Sequence, residues 1–227
     1  MSRKVDYNKL MEEELAVVDD ATSRAPIHSK PNLLLHVCCA PCSSACLERL
    51  VNHFEVTVFF YNPNIQPEVE YQKRLEEVQR FIQLYSENLK TEIKLIVGTY
   101  DRGDFFTATK VKEDLEMQLA PERGERCRRC YQFRMEKTFA YARDNRYDYV
   151  ATTLTLSPYK DAEKVNQIGE KIAKDSFSIY SLFPTKYLFS DFKKKNGFLR
   201  SKQLSKEYNI YQQNYCGCEY GGILSAK

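Results

Sequence analysis

Leu33-Leu34-Leu35-His36-Val37-Cys38-Cys39-Ala40-Pro41-Cys42 decides how this chain is read. A short, mostly apolar run has the signature of a buried strand. Two adjacent cysteines follow it as a loop. Pro41 then stands where a helix opens, because its missing N–H is no loss in the first turn. The helix continues from Ser43 to Asn52.

Outward from this stretch the same alternation recurs. Glu55 to Tyr61 reads as a second strand, closed by Asn62-Pro63-Asn64. Pro67 to Leu89 reads as a long amphipathic helix, and Ile93 to Val97 as a third strand. Helices are expected over Phe105–Leu119 and Arg129–Asn145, and a fourth strand over Tyr149–Leu154. A helix over Asp161–Lys174, a short strand over Ser178–Leu182 and a helix over Ser201–Tyr208 complete the series. Strands alternating with helices predict right-handed βαβ units. The expected fold is therefore α/β: a Rossmann-like, mainly parallel sheet with helices on both faces. Ligands of such sheets bind beyond the carboxyl ends of the strands. Cys38 and Cys39 fall on that edge. Asn62, Tyr100-Asp101 and Thr155-Leu156-Ser157-Pro158 follow later strands and are expected to face the same crevice.

Length and composition set outer bounds. With 227 residues, 43% of them hydrophobic, the chain can bury a sizeable core. Residues 31–227 are expected to form a single α/β catalytic domain, and residues 1–30 an N-terminal appendage. In that appendage Leu10, Met11, Leu15, Val17 and Val18 suit a helical turn or two. A net charge of +3, from 34 basic and 31 acidic residues, does not by itself announce a nucleic-acid binder. No apolar run approaches the roughly 20 residues a membrane span needs. Glu12, Glu13, Glu14, Asp19 and Asp20 argue against a secretory signal or a transit peptide. A cytoplasmic location is expected. There, clustered cysteines point to metal or redox chemistry rather than to structural disulfides.

The eight cysteines fall in three tight groups. Cys127-Arg128-Arg129-Cys130 is a C-x-x-C, which lets two sulfurs reach one metal ion or cluster. The surrounding arginines, Arg126, Arg128 and Arg129, favour thiolate over thiol. Cys38 and Cys39 can both turn toward a cofactor from a strand-end loop. Together these four thiolates suit zinc or an iron–sulfur cluster. The vicinal pair departs from the two separated knuckles of structural zinc and tilts the choice toward iron–sulfur. Cys216-Gly217-Cys218 reads in three ways: a labile redox pair, a second pair of metal ligands, or inert thiols. A disulfide within it would close a small strained ring, suited to turnover rather than to holding a fold. Cys39-Ala40-Pro41-Cys42 is itself a C-x-P-C, as in thioredoxin-type oxidoreductases. Cys46, one turn after Cys42, reads as a small buried thiol.

These motifs occur in an order that closely resembles the cobalamin-independent epoxyqueuosine reductases. They are His36-Val37-Cys38-Cys39-Ala40-Pro41-Cys42-Ser43, Phe60-Tyr61-Asn62-Pro63-Asn64-Ile65, and Arg126-Cys127-x-x-Cys130-Tyr131-x-x-Arg134. Thr152-Thr153-Leu154 with Ser157-Pro158-Tyr159-Lys160 follows, and then Tyr211-x-x-x-Tyr215-Cys216-Gly217-Cys218. The resemblance runs from about Leu33 to Cys218. It implies removal of the epoxide oxygen of epoxyqueuosine at the wobble position of tRNA, the last step of queuosine synthesis. It implies a [4Fe-4S] cluster held by Cys38, Cys39, Cys127 and Cys130, and a redox-active pair at Cys216 and Cys218. In some members an additional iron ion sits beside the cluster, and Cys42 falls where its ligand is expected. The implied partners are the tRNA and an unidentified electron donor, with no membrane.

Two classes compete with this reading. A thiol–disulfide oxidoreductase using Cys39 and Cys42 would be colourless and need no iron. A zinc-stabilised RNA-binding module would hold stoichiometric zinc without redox activity. No Gly-rich phosphate loop follows the first strand, which argues against a nucleotide-dependent enzyme. For the proton that deoxygenation needs, Tyr159, Lys160, Asp161 and Asp191 lie in crevice loops, each with an ordinary surface or capping role as the alternative. His36 reads as a hydrogen-bonded core histidine. Lys193-Lys194-Lys195, with Arg200 and Lys202, is either a phosphate-contacting patch or a solvated loop.

Overall fold

The structure, a computed structural model, describes residues 5–25, 29–175 and 184–221. Five strands, β1 (Asn32–Val37), β2 (Glu55–Phe60), β3 (Lys94–Val97), β4 (Tyr149–Thr152) and β5 (Lys186–Tyr187), form one sheet in the order β3-β2-β1-β4-β5. Every pairing is parallel. The expected Rossmann-like α/β architecture is borne out.

Side-chain alternation divides the core between the two faces of the sheet. Leu33, Leu35 and Val37 of β1 join Val56, Val58 and Phe60 of β2 on one face. There they meet α1 (Tyr7–Arg24), α2 (Ala40–Leu50), α3 (Glu68–Leu89) and α8 (Gly197–Glu207). Leu34, Phe59 and Val150 point the other way, onto α6 (Glu125–Asp144) and α7 (Ala162–Asp175). Strands buried on both faces explain why β1 reads as a continuous apolar run rather than an alternating one.

The chain winds outward from β1 to β3 on one side, then crosses to β4 on the other. The loops after β1 and β4 therefore diverge at the topological switch point, where doubly wound sheets open a binding crevice. The first cysteine group lies there.

Several elements differ from the expected bounds. The helix anticipated over Phe105–Leu119 is two short ones, α4 (Arg102–Thr109) and α5 (Leu115–Leu119). Lys110 closes α4 in the left-handed region (φ 56°), and Asp114 opens α5 by accepting from the N–H groups of Glu116 and Met117. Phe105, Val111 and Met117 pack in one buried cluster, so the break leaves the apolar pattern intact. β4 stops at Thr152, whose hydroxyl accepts from Leu154 N–H and starts a 3-10 turn over Thr153–Leu156. α6 begins at Glu125, which places both cysteines of the second group on the helix itself. The charged run there has no apolar periodicity to announce a helix. α1 extends over 18 residues, and its Met11, Leu15 and Val18 are buried in the same core as the sheet. The strand expected over Ser178–Leu182 lies outside the described residues.

Candidate metal centre

The backbone at the end of β1 aims three thiols at one point. Cys38 directly follows the last strand residue, Val37, and Cys39 is the N-cap of α2 in extended conformation without a side-chain cap bond. Cys42 lies in the first turn. Their sulfurs lie within 4.8 Å of one another, and Cys38 and Cys39 are 3.8 Å apart. Thr153 Oγ1, from the turn after β4, is 3.9 Å from the Cys38 sulfur. Gln213 donates its amide to Cys39 at 3.0 Å.

The electrostatics of this triad favour a cation. Hydrogen bonds from Cys39 and Cys42 hold Cys38 well below the ordinary thiol value. The same bonds, with burial, push Cys39 up to about 11 and Cys42 well above its usual value. One thiolate is stabilised by two thiol donors, and further ionisation meets like-charge repulsion. A bound metal ion removes that obstacle by replacing the protons.

The second and third groups meet in a narrow cavity. Cys127, Cys130, Cys216 and Cys218 line it, with Glu122 and Arg126. Burial pushes Cys130 up to about 11, opposed by Arg134, and Cys218 up to about 12. Four buried polar atoms without a hydrogen-bond partner among the described residues belong to this lining: Asn64 Oδ1, Glu122 Oε1, Arg126 Nε and Arg134 Nε. Such orphans are rare in native interiors and mark a place where another group belongs. An open cleft of about 460 Å³ lies alongside, lined by Cys38, Cys42, Arg74, Gln213 and others. Tyr159, Lys160 and Cys216 line both spaces and so form their common wall. Burial draws the Lys160 ammonium down, but Cys38, Cys42, Cys216 and Cys39 together draw it above its usual value.

The carboxy-terminal arm is held by backbone contacts. Arg74, 2% exposed, pairs with Glu70 at 2.7 Å and donates to the carbonyls of Cys216 and Tyr215 at 3.2 and 3.3 Å. Gln66 N–H donates to Gly217 O at 2.7 Å. Gly217 has φ of +108°, and a Cβ there would lie 2.8 Å from Ile65 and 3.2 Å from Arg74. Only glycine fits between the two cysteines.

Other residues singled out in the sequence take plain roles. His36 is fully buried, with Nδ1 2.9 Å from Thr152 Oγ1 and Nε2 3.3 Å from Tyr61 O. Facing a carbonyl, Nε2 carries the proton, and Thr152 donates to Nδ1. Burial holds the ring neutral, pushing it down to about 3. Cys46 sits in the apolar core. Asn62 ties strand ends, donating to Val37 O at 2.9 Å and accepting from Arg134. Tyr100 donates to Ile65 O. Asp161 accepts from Lys164 N–H, and Asp191 pairs with Lys193. In the basic run Lys193 also donates to Thr155 O, Lys195 pairs with Glu12 and Arg200 with Glu48, so three of its cations are engaged internally. Sequence reasoning missed Arg74, Glu122 and Gln213, which lie in otherwise ordinary polar stretches. Among the described residues no helix is long and apolar enough to cross a membrane.

Fold and site together define a Rossmann-like α/β protein whose clustered thiols, at the carboxyl edge of a parallel sheet, suit a soft metal centre. The family model described as "Epoxyqueuosine reductase QueH" matches residues 33–223. The chain is 35% identical to the epoxyqueuosine reductase QueH of Streptococcus pyogenes, over 98% of this chain and 80% of that protein. It is 32% identical to that of Staphylococcus epidermidis (98% and 87%) and 35% identical to that of Thermotoga maritima (83% and 88%). The chain belongs to the epoxyqueuosine reductase QueH family. Among solved structures, U34-tRNA thiolase NcsA from Methanococcus maripaludis with its [4Fe-4S] cluster matches with a TM-score of 0.49 at 12% identity, covering 94% of this chain and 69% of that one. That likeness is too distant to bear on the site.

Proposed function

We propose that this chain reduces epoxyqueuosine at the wobble position of tRNA to queuosine. Two electrons and two protons convert the epoxide into the cyclopentene and water. The observation that carries this reading, beside family membership, is the meeting of three cysteine groups around one wall. Cys216 and Lys160 line both the narrow cavity and the open cleft.

Cys38, Cys39, Cys127 and Cys130 are the proposed ligands of a [4Fe-4S] cluster. Their soft sulfurs and the orphaned guanidinium N–H groups beside them fit an anionic cluster. When bound, such a cluster supplies electrons one at a time. Cys216 and Cys218 are the proposed second redox centre; passing from dithiol to disulfide, the pair yields two electrons and two protons, the number the deoxygenation consumes. Cys42 is the proposed ligand of an additional iron ion. The cleft admits the modified nucleoside, and Lys160 brings positive charge to its wall, where an alkoxide develops as the C–O bond breaks. The tRNA and an electron donor are the proposed partners, in a cytoplasmic setting.

A second assignment has its own support. The structure groups Cys38, Cys39 and Cys42 in one triad, and Cys127, Cys130, Cys216 and Cys218 around one cavity. In that arrangement the tetrad holds the cluster and the triad the extra iron. Cys216→Ser separates the two. The proposed ligand set expects anaerobically prepared C216S protein to keep wild-type iron, sulfide and visible absorbance while turnover is lost. Loss of the cluster in C216S favours the tetrad, and wild-type turnover removes the redox pair. A colourless wild-type protein without iron or sulfide overturns the iron–sulfur reading altogether.

A further inference from the structure

Helix α6 carries two arginines, on the face of Cys130, whose buried charge has no role in the reaction outlined above. Arg126, Cys130 and Arg134 follow one another at four-residue spacing and are all buried, so they share one helix face. The two arginines are each 2% exposed. Arg126 donates to the carbonyls of Met117 and Gln118 at 3.0 and 2.8 Å, and Arg134 donates to the Asn62 amide oxygen. These partners are neutral. Neither arginine makes an ion pair among the described residues, although Arg74, equally buried, pairs with Glu70. Glu122 lines the same cavity without pairing to either. Each guanidinium also keeps its Nε–H unsatisfied, and both arginines line the cavity of Cys127 and Cys130.

Two buried cations without an ion-pair partner are costly to maintain. Their neighbours show what repays that cost. Thiolates at Cys127 and Cys130 belong to the metal centre in either ligand assignment. A four-thiolate [4Fe-4S] centre is dianionic and gains one more negative charge on taking an electron.

We propose that Arg126 and Arg134 are the built-in counter-charge of this centre, and that they set its reduction potential through charge and N–H···S hydrogen bonds. This rests on the iron–sulfur reading above. Both act through the cofactor and are positioning residues, not catalytic ones. A nearby cation stabilises the reduced state more than the oxidised one, so its removal drives the potential negative.

The test is a redox titration of the anaerobically loaded full-length protein, followed by visible absorbance and by the resonance of the reduced cluster. Arg134→Gln is expected to shift the midpoint negative, so that the reduced-to-oxidised ratio at a fixed potential falls at least tenfold (about 59 mV for one electron). Arg126→Gln gives an independent reading of the same quantity and is expected to move the same way. Arg134→Lys restores the charge and recovers most of the shift. Arg128→Gln, on a half-buried guanidinium already paired with Glu125, leaves the midpoint in place. Loaded R134Q or R126Q protein with the wild-type midpoint overturns the inference alone. Wild-type protein that takes up no iron and sulfide overturns the functional reading, and this inference with it.

Discussion

At the scale of single residues, the cysteines divide by what surrounds them. Cys46 is fully buried among Leu47, Leu50 and other apolar side chains, and burial pushes its thiol well above the usual value. Cys127 is partly exposed and lines the narrow cavity. Cys127→Ser is expected to abolish cluster binding, read as loss of iron, sulfide and visible absorbance. Cys46→Ser is expected to retain all three. A C127S protein with full iron content would remove Cys127 from the ligand set. Most of this division is visible in the sequence, because vicinal and C-x-x-C spacings have few structural uses. The same spacings leave the partnership open. The sequence pairs the first group with the second, whereas the structure shows how near the third stands to the second. Distances between segments some ninety residues apart depend on the path of the chain, which no local pattern records.

At the scale of elements, the carboxy-terminal arm is the informative case. Among the described residues, those after α8 form no regular structure, so periodicity is silent about them. Arg80 and Glu77 of α3 hold its start. Arg80 donates to the carbonyls of Tyr208 and Asn209 at 3.0 and 2.9 Å, and Glu77 accepts from Tyr211 N–H at 2.9 Å. Burial works against the Glu77 carboxylate, but Arg80 and the Tyr211 N–H outweigh it and hold the group below its ordinary 4.5. A carboxyl whose pKa is lower in the folded than in the unfolded chain binds fewer protons when folded. Its contribution is then complete above the unfolded value and is lost as pH falls through the folded one. Glu77→Gln is therefore expected to cost about 1–2 kcal/mol near neutrality, and progressively less below pH 4.5. Urea unfolding of both proteins across that range measures it. A difference that stays constant with pH would exclude the charge as the source.

At the scale of the whole molecule, the strand–helix alternation was enough to read a parallel sheet, because strands buried on both faces advertise themselves as apolar runs. The order of those strands was not legible. It comes from the crossing of the chain to the far side of β1, and that crossing puts Cys38 against Thr153. The amino-terminal segment shows the same limit. Its apolar positions suggest a turn or two, yet α1 runs for 18 residues, because tertiary burial sustains a helix that local propensity leaves marginal. Met11 is fully buried in the core shared with β1 and α2. We propose that α1 is a structural part of the catalytic domain. Met11→Ala would then cost about 2–5 kcal/mol, as for other large-to-small core changes. Urea denaturation should show it as a lower midpoint with an unchanged slope, since the same surface is exposed when the domain unfolds as one unit. An appendage that frays independently would give a wild-type midpoint, and loss of helical signal before the main transition would identify it as a separate unit.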